Sequence, residues 1–171
     1  SYQLNRNWQL YSSFGRSGRE PTRFDILGAT AVNSSNIGLL RDVNSVKAEY
    51  VNDLELGTRW NTEKVSLQLN LFYMQFENEI APIGEYIAAG FVQVYLNQEA
   101  SSRQGIELNG TWDISNTFFN KANMLTMGGQ LSLLQAQISS YQQNDSSEVF
   151  ENVTPILSPQ VNGQVNLSYS P

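Results

Sequence analysis

The sequence predicts an all-β fold, an antiparallel up-and-down sheet, and three observations carry that prediction. Val65, Leu67, Leu69, Leu71 and Tyr73 alternate with Ser66, Gln68 and Asn70. One face of this segment is apolar and the other amide and hydroxyl, the period-two pattern of a strand between unlike environments. The pattern returns in Ile106, Leu108, Trp112 and Ile114 against Glu107, Asn109, Thr111 and Asp113, and again in Val161, Val165, Leu167 and Tyr169 against Asn162, Gln164, Asn166 and Ser168. Third, no segment reads as the second layer that a soluble sheet needs to cover its apolar face. A membrane β-barrel wall is the architecture to weigh.

Six strands follow in order. The first covers about Asn7 to Ser17 and the second about Tyr50 to Trp60. The third runs from Lys64 to Asn78 and the fourth from about Ala100 to Ile114. The fifth spans about Asn123 to Ser139 and the sixth about Gln160 to Ser170. Asn61-Thr62-Glu63 forms a tight turn and Ser115 to Ala122 a modest one. Three connections are long: Gly18 to Glu49, Glu79 to Glu99, and Ser140 to Pro159. Short turns at one end and long loops at the other match the periplasmic and extracellular ends of an outer-membrane barrel. Within the first loop, Pro21 to Leu27 suits a short helix, since proline is tolerated in a first helical turn. Trp8 opens an upward strand while Trp60 and Trp112 close downward ones, so all three gather with Tyr169 at the short-turn end. An aromatic girdle belongs there; three aromatics in a sandwich core is the plainer alternative.

Composition narrows the function. The 171 residues carry Lys+Arg 10 against Asp+Glu 16, a formal net charge of −6, which disfavours a nucleic-acid partner. Charged residues are only 15%, below the usual share of about a quarter, and Asn, Gln, Ser and Thr take their place, as suits a water-filled lumen. There is no cysteine and no histidine, which removes disulfides, thiolate or imidazole metal sites and histidine-dependent catalysis. No Asp-x-Asp-x-Asp-Gly calcium loop occurs. No apolar run approaches the ~20 residues of a membrane helix, a limit that leaves a barrel open.

Three stretches then resemble one family. Residues Tyr11-Ser12-Ser13-Phe14-Gly15-Arg16-Ser17-Gly18-Arg19-Glu20-Pro21-Thr22 are similar to a strand that ends in a Phe-Arg-Glu/Ala-Pro run, with Gly18 where an aromatic is usual. Glu49-Tyr50-Val51-Asn52-Asp53-Leu54-Glu55-Leu56-Gly57 resembles a signature ending in aromatic-Glu-Leu-Gly, with Leu54 at the aromatic's place and Ala48 at that of a preceding proline. Asn97, Arg103, Gly105 and Glu107 match an Asn…Arg-x-Gly-x-Glu strand, and Thr154-Pro155 resembles the pair that precedes the next one. Together, and in this order, they resemble the C-terminal barrel half of TonB-dependent outer-membrane receptors.

That resemblance implies a transmembrane β-barrel segment, about six strands of a larger barrel, in the outer membrane of a Gram-negative bacterium. It implies active import of a scarce ligand, a ferric siderophore foremost, with no enzymatic step and no cofactor. Its partners are the lipid bilayer, an iron chelate or similar small ligand, a plug domain of the same parent chain that fills the lumen, and the TonB complex acting through that plug. Residues 1–171 are then a partial barrel domain, the plug and remaining strands lying outside them. Glu55, Gly57 and Arg59 share the lumen-facing parity of the second strand, and Arg103, Gly105 and Glu107 that of the fourth. An arginine facing lipid near the midplane costs ~2–4 kcal/mol, so these belong inside, either against the plug or as a solvated inner wall. The glycines remove bulk where another backbone approaches closely, in this family the plug's. Arg16, Arg19 and Arg23, with Arg41, lie in or beside the first loop, where a basic mouth attracts anionic chelates or is simply solvated. Tyr86, Phe91 and Tyr95 in the second loop offer rings for stacking on a ligand or for packing the loop itself. Two other readings stand beside this one. A secreted β-sandwich that binds carbohydrate has its Asn/Gln faces in water. A glycosidase needs an acid pair on adjacent strands, and no convincing pair is present.

Overall fold

The computed structural model describes residues 1–22, 25–26, 46–87, 92–115, 124–142, 149–155 and 158–170. Eight strands form one sheet: β1 Tyr2–Gln3, β2 Trp8–Arg19, β3 Glu49–Asn61, β4 Val65–Ile87, β5 Val92–Asp113, β6 Met124–Gln142, β7 Val149–Val153 and β8 Val161–Ser170. Every pairing is antiparallel and the order is that of the chain, from β1 to β6; β7 and β8 both pair with β6. This is the predicted up-and-down sheet. The buried apolar side chains among the described residues are few, Val46, Ile80, Ile114, Leu125, Ala136 and Ile138. A second layer, which the sandwich reading requires, is not formed by the described residues.

Backbone and side-chain hydrogen bonds close the short turns. At 4–7 the Leu4 N–H reaches the Trp8 carbonyl at 2.9 Å, and the Asn7 N–H is held by Asn5 Oδ1 at 2.9 Å. At 62–64 the Thr62 hydroxyl accepts from the Val65 N–H at 2.9 Å, the turn chemistry that Ser/Thr and Asn supply. Below β5, Ser115 Oγ accepts from the Leu125 N–H at 2.8 Å while Asp113 Oδ1 accepts from the Ser115 N–H at 2.9 Å. These three turns share one end of the sheet.

At the other end the strands outrun the sequence reading. The stretch from Glu79 to Glu99, expected as a loop, is largely a continuation of the β4–β5 hairpin, paired through Pro82↔Tyr95 and, after a register shift, at Tyr86↔Gln93. The stretch from Ser140 to Pro159 likewise contains the end of β6 and all of β7. The reason is physical. Alternation is legible only where one face meets lipid; above the membrane both faces are wet, so the ladder continues without a hydrophobic pattern to announce it. The chain after β7 resumes pairing at Leu133↔Val161, having left it at Ile138↔Val153. The Leu134 N–H, next to the Leu133↔Val161 pair, reaches the Gln160 carbonyl at 2.9 Å. Of the helix expected over Pro21 to Leu27, the described residues show one turn, with the Ile26 N–H on the Thr22 carbonyl at 3.2 Å.

Candidate functional site

The register sorts every side chain onto one of two faces. On the first stand Trp8, Leu10 and Phe14 of β2, Leu54, Leu56 and Trp60 of β3, and Val65 through Tyr73 at odd positions of β4. Ile106, Leu108 and Trp112 of β5, Leu125 through Leu133 at odd positions of β6, and Val161 through Tyr169 at odd positions of β8 continue it. Most of these side chains are exposed, Phe14 72%, Trp112 51% and Leu167 66% among them, while Leu125 at the lower rim is buried. A contiguous apolar patch of this extent has no place on a surface in water. The apolar run on β4 is nine residues, the ~9–11 that a tilted strand needs to cross a bilayer.

Aromatic side chains mark the lower rim. Trp8 and Trp60 are direct cross-strand partners, Trp112 sits one row lower opposite Val65, and Tyr169 another row lower opposite Leu125. The rim thus descends four residues from β2 to β8. Four residues at ~3.4 Å, over five strand spacings of ~4.8 Å, correspond to a strand tilt of about 30°, near the ~35–45° of closed barrels. The lone hydroxyl beside Trp8 is satisfied: Thr58 Oγ1 accepts from Trp8 Nε1 at 2.5 Å and donates to the Gln9 carbonyl at 3.1 Å.

Above this band the same outer face turns polar, with Arg16, Asn52, Gln75, Glu77, Ser102, Gln104, Gln135 and Gln137. Arg16 donates to Glu77 at 2.8 and 3.2 Å and to Asn52 at 3.0 Å, and lies over the Tyr50 ring at 5.0 Å. Glu77, two rows beyond the last lipid-level residue of β4, is held below the ordinary carboxylate range, first by the hydrogen bond from Arg16.

The opposite face is the inner wall. Its lower half is a lattice of amides and hydroxyls. Arg59 Nε donates to Gln68 at 3.2 Å, Gln68 Nε2 to the Tyr11 hydroxyl at 3.1 Å, and that hydroxyl to Asn70 at 3.2 Å. The Tyr11 ring lies across Gly57, where a Cβ would collide with it, and Arg59 stacks on its face at 5.3 Å. At Gly105 a Cβ would collide with the Leu133 backbone carbonyl and would stand 2.7 Å from the ring of the cross-strand partner Phe72. The two glycines therefore seat aromatic rings of neighbouring strands, an arrangement that pins register. Close backbone approach is seen at Gly105, where the Leu133 carbonyl of β6 is the nearest atom to the space a Cβ would take.

The upper inner wall is held by charge. Arg103 pairs with Glu79, Ser101 also donates to Glu79, and the guanidinium lies over Phe76 at 4.2 Å. Strict alternation would put Glu79 on the outer face with Glu77. The backbone at Asn78, with φ of 56°, lies in the left-handed region that asparagine tolerates better than most residues, and Glu79 turns inward. Asn97 joins this corner to the entry of β3. Its carboxamide accepts from the Lys47 N–H at 2.7 Å and donates to the carbonyls of Lys47 and Asn78 at 2.9 and 2.7 Å. Glu49 completes the seam, accepting from the Ile80 N–H at 2.8 Å with Arg19 at 3.6 Å.

The predicted site residues divide accordingly. Glu55, Gly57, Arg59, Arg103, Gly105 and Glu107 all take the inner face. Glu55 accepts from Ser13 at 3.1 Å. Of the arginines grouped at the mouth, Arg19 is inward and paired with Asp25 at 3.0 Å. Arg16 shares the face of Leu10 and Phe14, opposite to Arg19, and is paired with Glu77 and Asn52. Tyr95 stands on β5 opposite Pro82 and is engaged in an interaction. Tyr86 lies on β4 with its side chain outside the described set, and Arg23, Arg41 and Phe91 lie outside the described residues. Tyr11, Phe72, Asn78 and Glu79 were missed as site residues. An aromatic opposite a glycine at matched register was the available signal for the first two.

A single antiparallel sheet with a lipid-width apolar band outside, an aromatic rim, and a polar wall inside defines a segment of an outer-membrane β-barrel. The chain belongs to the TonB dependent receptor-like beta-barrel family, whose model matches residues 1–171, and so to the outer-membrane proteins of Gram-negative bacteria. The copper transporter OprC is similar in structure, with a TM-score of 0.70 at 15% identity over 99% of this chain and 23% of that one. The ferric citrate transporter FecA in its unliganded form gives 0.62 at 22% identity over 99% and 22%. The FrpB iron transporter from Neisseria meningitidis gives 0.58 at 16% identity over 98% and 22%. The chain spans less than a quarter of the length of these solved structures. No curated protein matches it in sequence.

Proposed function

We propose that this chain supplies wall and mouth to an outer-membrane importer that takes up a scarce ligand, a ferric siderophore foremost, driven by the TonB complex through a plug domain of the same parent protein. The observation that supports the reading most directly is the sorting of the sheet into a lipid-facing band and a hydrogen-bonding inner wall. A plug needs such a wall: Glu55, Arg59, Arg103 and Glu107 offer it charge, and Glu107 makes no hydrogen bond or ion pair among the described residues. Gly57 and Gly105 take part indirectly, through the Tyr11 and Phe72 rings they seat. Arg19 and Arg23 with Tyr86, Phe91 and Tyr95 form the mouth in this reading, and Arg16 serves the outer rim instead. No bond is made or broken; the work is binding and passage.

The test is growth. A strain lacking the parent gene is supplied with single ferric chelates as its only iron source, with ferrous iron as the control. Loss of growth on one chelate, restored by the gene, supports siderophore import. Unchanged growth on every chelate removes the siderophore from the proposal and leaves other scarce ligands to be tried on the same strain.

A further inference from the structure

Two buried polar atoms of the inner wall have no hydrogen-bond partner among the described residues, Asp53 Oδ1 and Arg103 Nη1. An unmet donor or acceptor in a buried site is costly, the more so on charged groups, and native structures hold few of them. Here an unmet acceptor and an unmet donor occur in one row. Asp53 pairs across with Met74, and Met74 with Arg103, so the two residues share a face two strand spacings apart, about 10 Å. That span lies within the combined reach of an arginine and an aspartate laid across a methionine.

Arg103 is committed elsewhere, to Glu79 and to the Phe76 ring. Glu79 is available to it only through the left-handed backbone at Asn78, which turns that carboxylate inward at the foot of the upper β4–β5 hairpin. Two carboxylates therefore lie in reach of one guanidinium, Glu79 on Nη2 and Asp53 on the side of the unmet Nη1. Glu55, next but one to Asp53 on the same strand and face, adds to the pull from below.

We propose that Arg103 is a two-position ion-pair switch: it holds Glu79 in the arrangement described here and Asp53 in a second, in which the hairpin above Asn78 is released. The switch satisfies both orphan atoms at the expense of the Glu79 contact. It also gives the lumen a way to act on the mouth. A cationic group bound at Glu79 frees Arg103 for Asp53 and loosens the hairpin, whereas one bound at Asp53 locks it. The inference goes beyond the import reading and does not depend on which ligand is carried.

The test is amide hydrogen exchange on the full-length parent receptor in lipid nanodiscs, comparing hairpin peptides covering 78–82 and 92–98 with the lipid-level control segments 65–73 and 104–112. Glu79→Gln removes the first partner and raises hairpin exchange, by about fivefold for a local stability change of the usual single-contact size. Asp53→Asn removes the partner of the released state and slows hairpin exchange. A purely structural Asp53 would leave the hairpin unchanged or loosen it, so the sign separates the two. Hairpin exchange that is unchanged or faster in Asp53→Asn, with the control segments unaltered, overturns the switch, as does unchanged exchange in Glu79→Gln. If Asp53→Asn does not assemble, Asp53→Ser carries the same expectation. Arg103→Lys keeps the charge without the fork and raises exchange beside either carboxylate.

Discussion

Leu108 and Asn109 are neighbours on β5, yet they should respond to the same substitution in opposite ways. Leu108 is paired with Leu69 and Leu131 in the middle of the apolar band and is 41% exposed; Asn109 faces inward, between Gln68 and Gln130. An arginine at a lipid-facing midplane position costs about 2–4 kcal/mol. At about 1.4 kcal/mol per decade, Leu108→Arg should lower the folding equilibrium into a bilayer between roughly thirtyfold and several hundredfold. Asn109→Arg places the same charge at the same depth in a wall of amides, with Arg59 two strands away as the nearest inward cation on that row, and exposed like-charge effects are small, roughly 1 kcal/mol or less. The assay is denaturant titration of the parent receptor folding into vesicles, read by the gel shift between unboiled and boiled samples. Equal losses for the two variants, or a greater loss for Asn109→Arg, would refute the assignment of faces.

Three further outcomes follow from the geometry. Gly57→Val places branched atoms in the space of the Tyr11 ring and should cost about 1–3 kcal/mol as an overpacked site; adding Tyr11→Ala should recover part of the loss, and a recovery of nothing would show that the ring is not the obstacle. Asn97→Ala strips the clamp on Lys47, so hydrogen exchange at the Lys47 amide should rise while that of Leu69 and Leu108 stays fixed, with Asn97→Asp keeping the acceptor and most of the Lys47 protection. Brominated lipids should quench Trp8, Trp60 and Trp112 best when bromine sits near the headgroup, since all three occupy the rim; strongest quenching by bromine at the chain ends would contradict that placement.

How much of this was written in the chain depends on where the chain meets lipid. Val65 to Tyr73 announced both its strand and its faces because hydrocarbon tolerates only one kind of side chain, and the Trp60 and Trp112 parities followed. Arg103, Gly105 and Glu107 were legible as inward because charge cannot face lipid. Past Tyr73 the signal fades. The strand continues to Ile87, but water on both sides imposes no alternation, so Glu77 and Glu79 look alike in sequence. Only the φ of Asn78 sends one outward to Arg16 and the other inward to Arg103. The face of Arg16 was illegible for the same reason: a basic residue near a loop says nothing of its face until the register with Asn52 is known. The glycines were recognised as sites of missing bulk, but what fills that bulk is a cross-strand matter. Tyr11 and Gly57 are far apart in sequence and meet only through the β2–β3 register.

The central claim is that one face of this sheet meets lipid and the other a lumen. Nitroxide labels placed singly at positions 65 to 73 of the parent receptor, reconstituted in bilayers, test it through collision with oxygen and with a water-soluble nickel reagent. The account predicts a period of two, with oxygen access highest at 65, 67, 69, 71 and 73 and low nickel access at the same positions. A flat profile, or oxygen maxima at 66, 68 and 70, would contradict it.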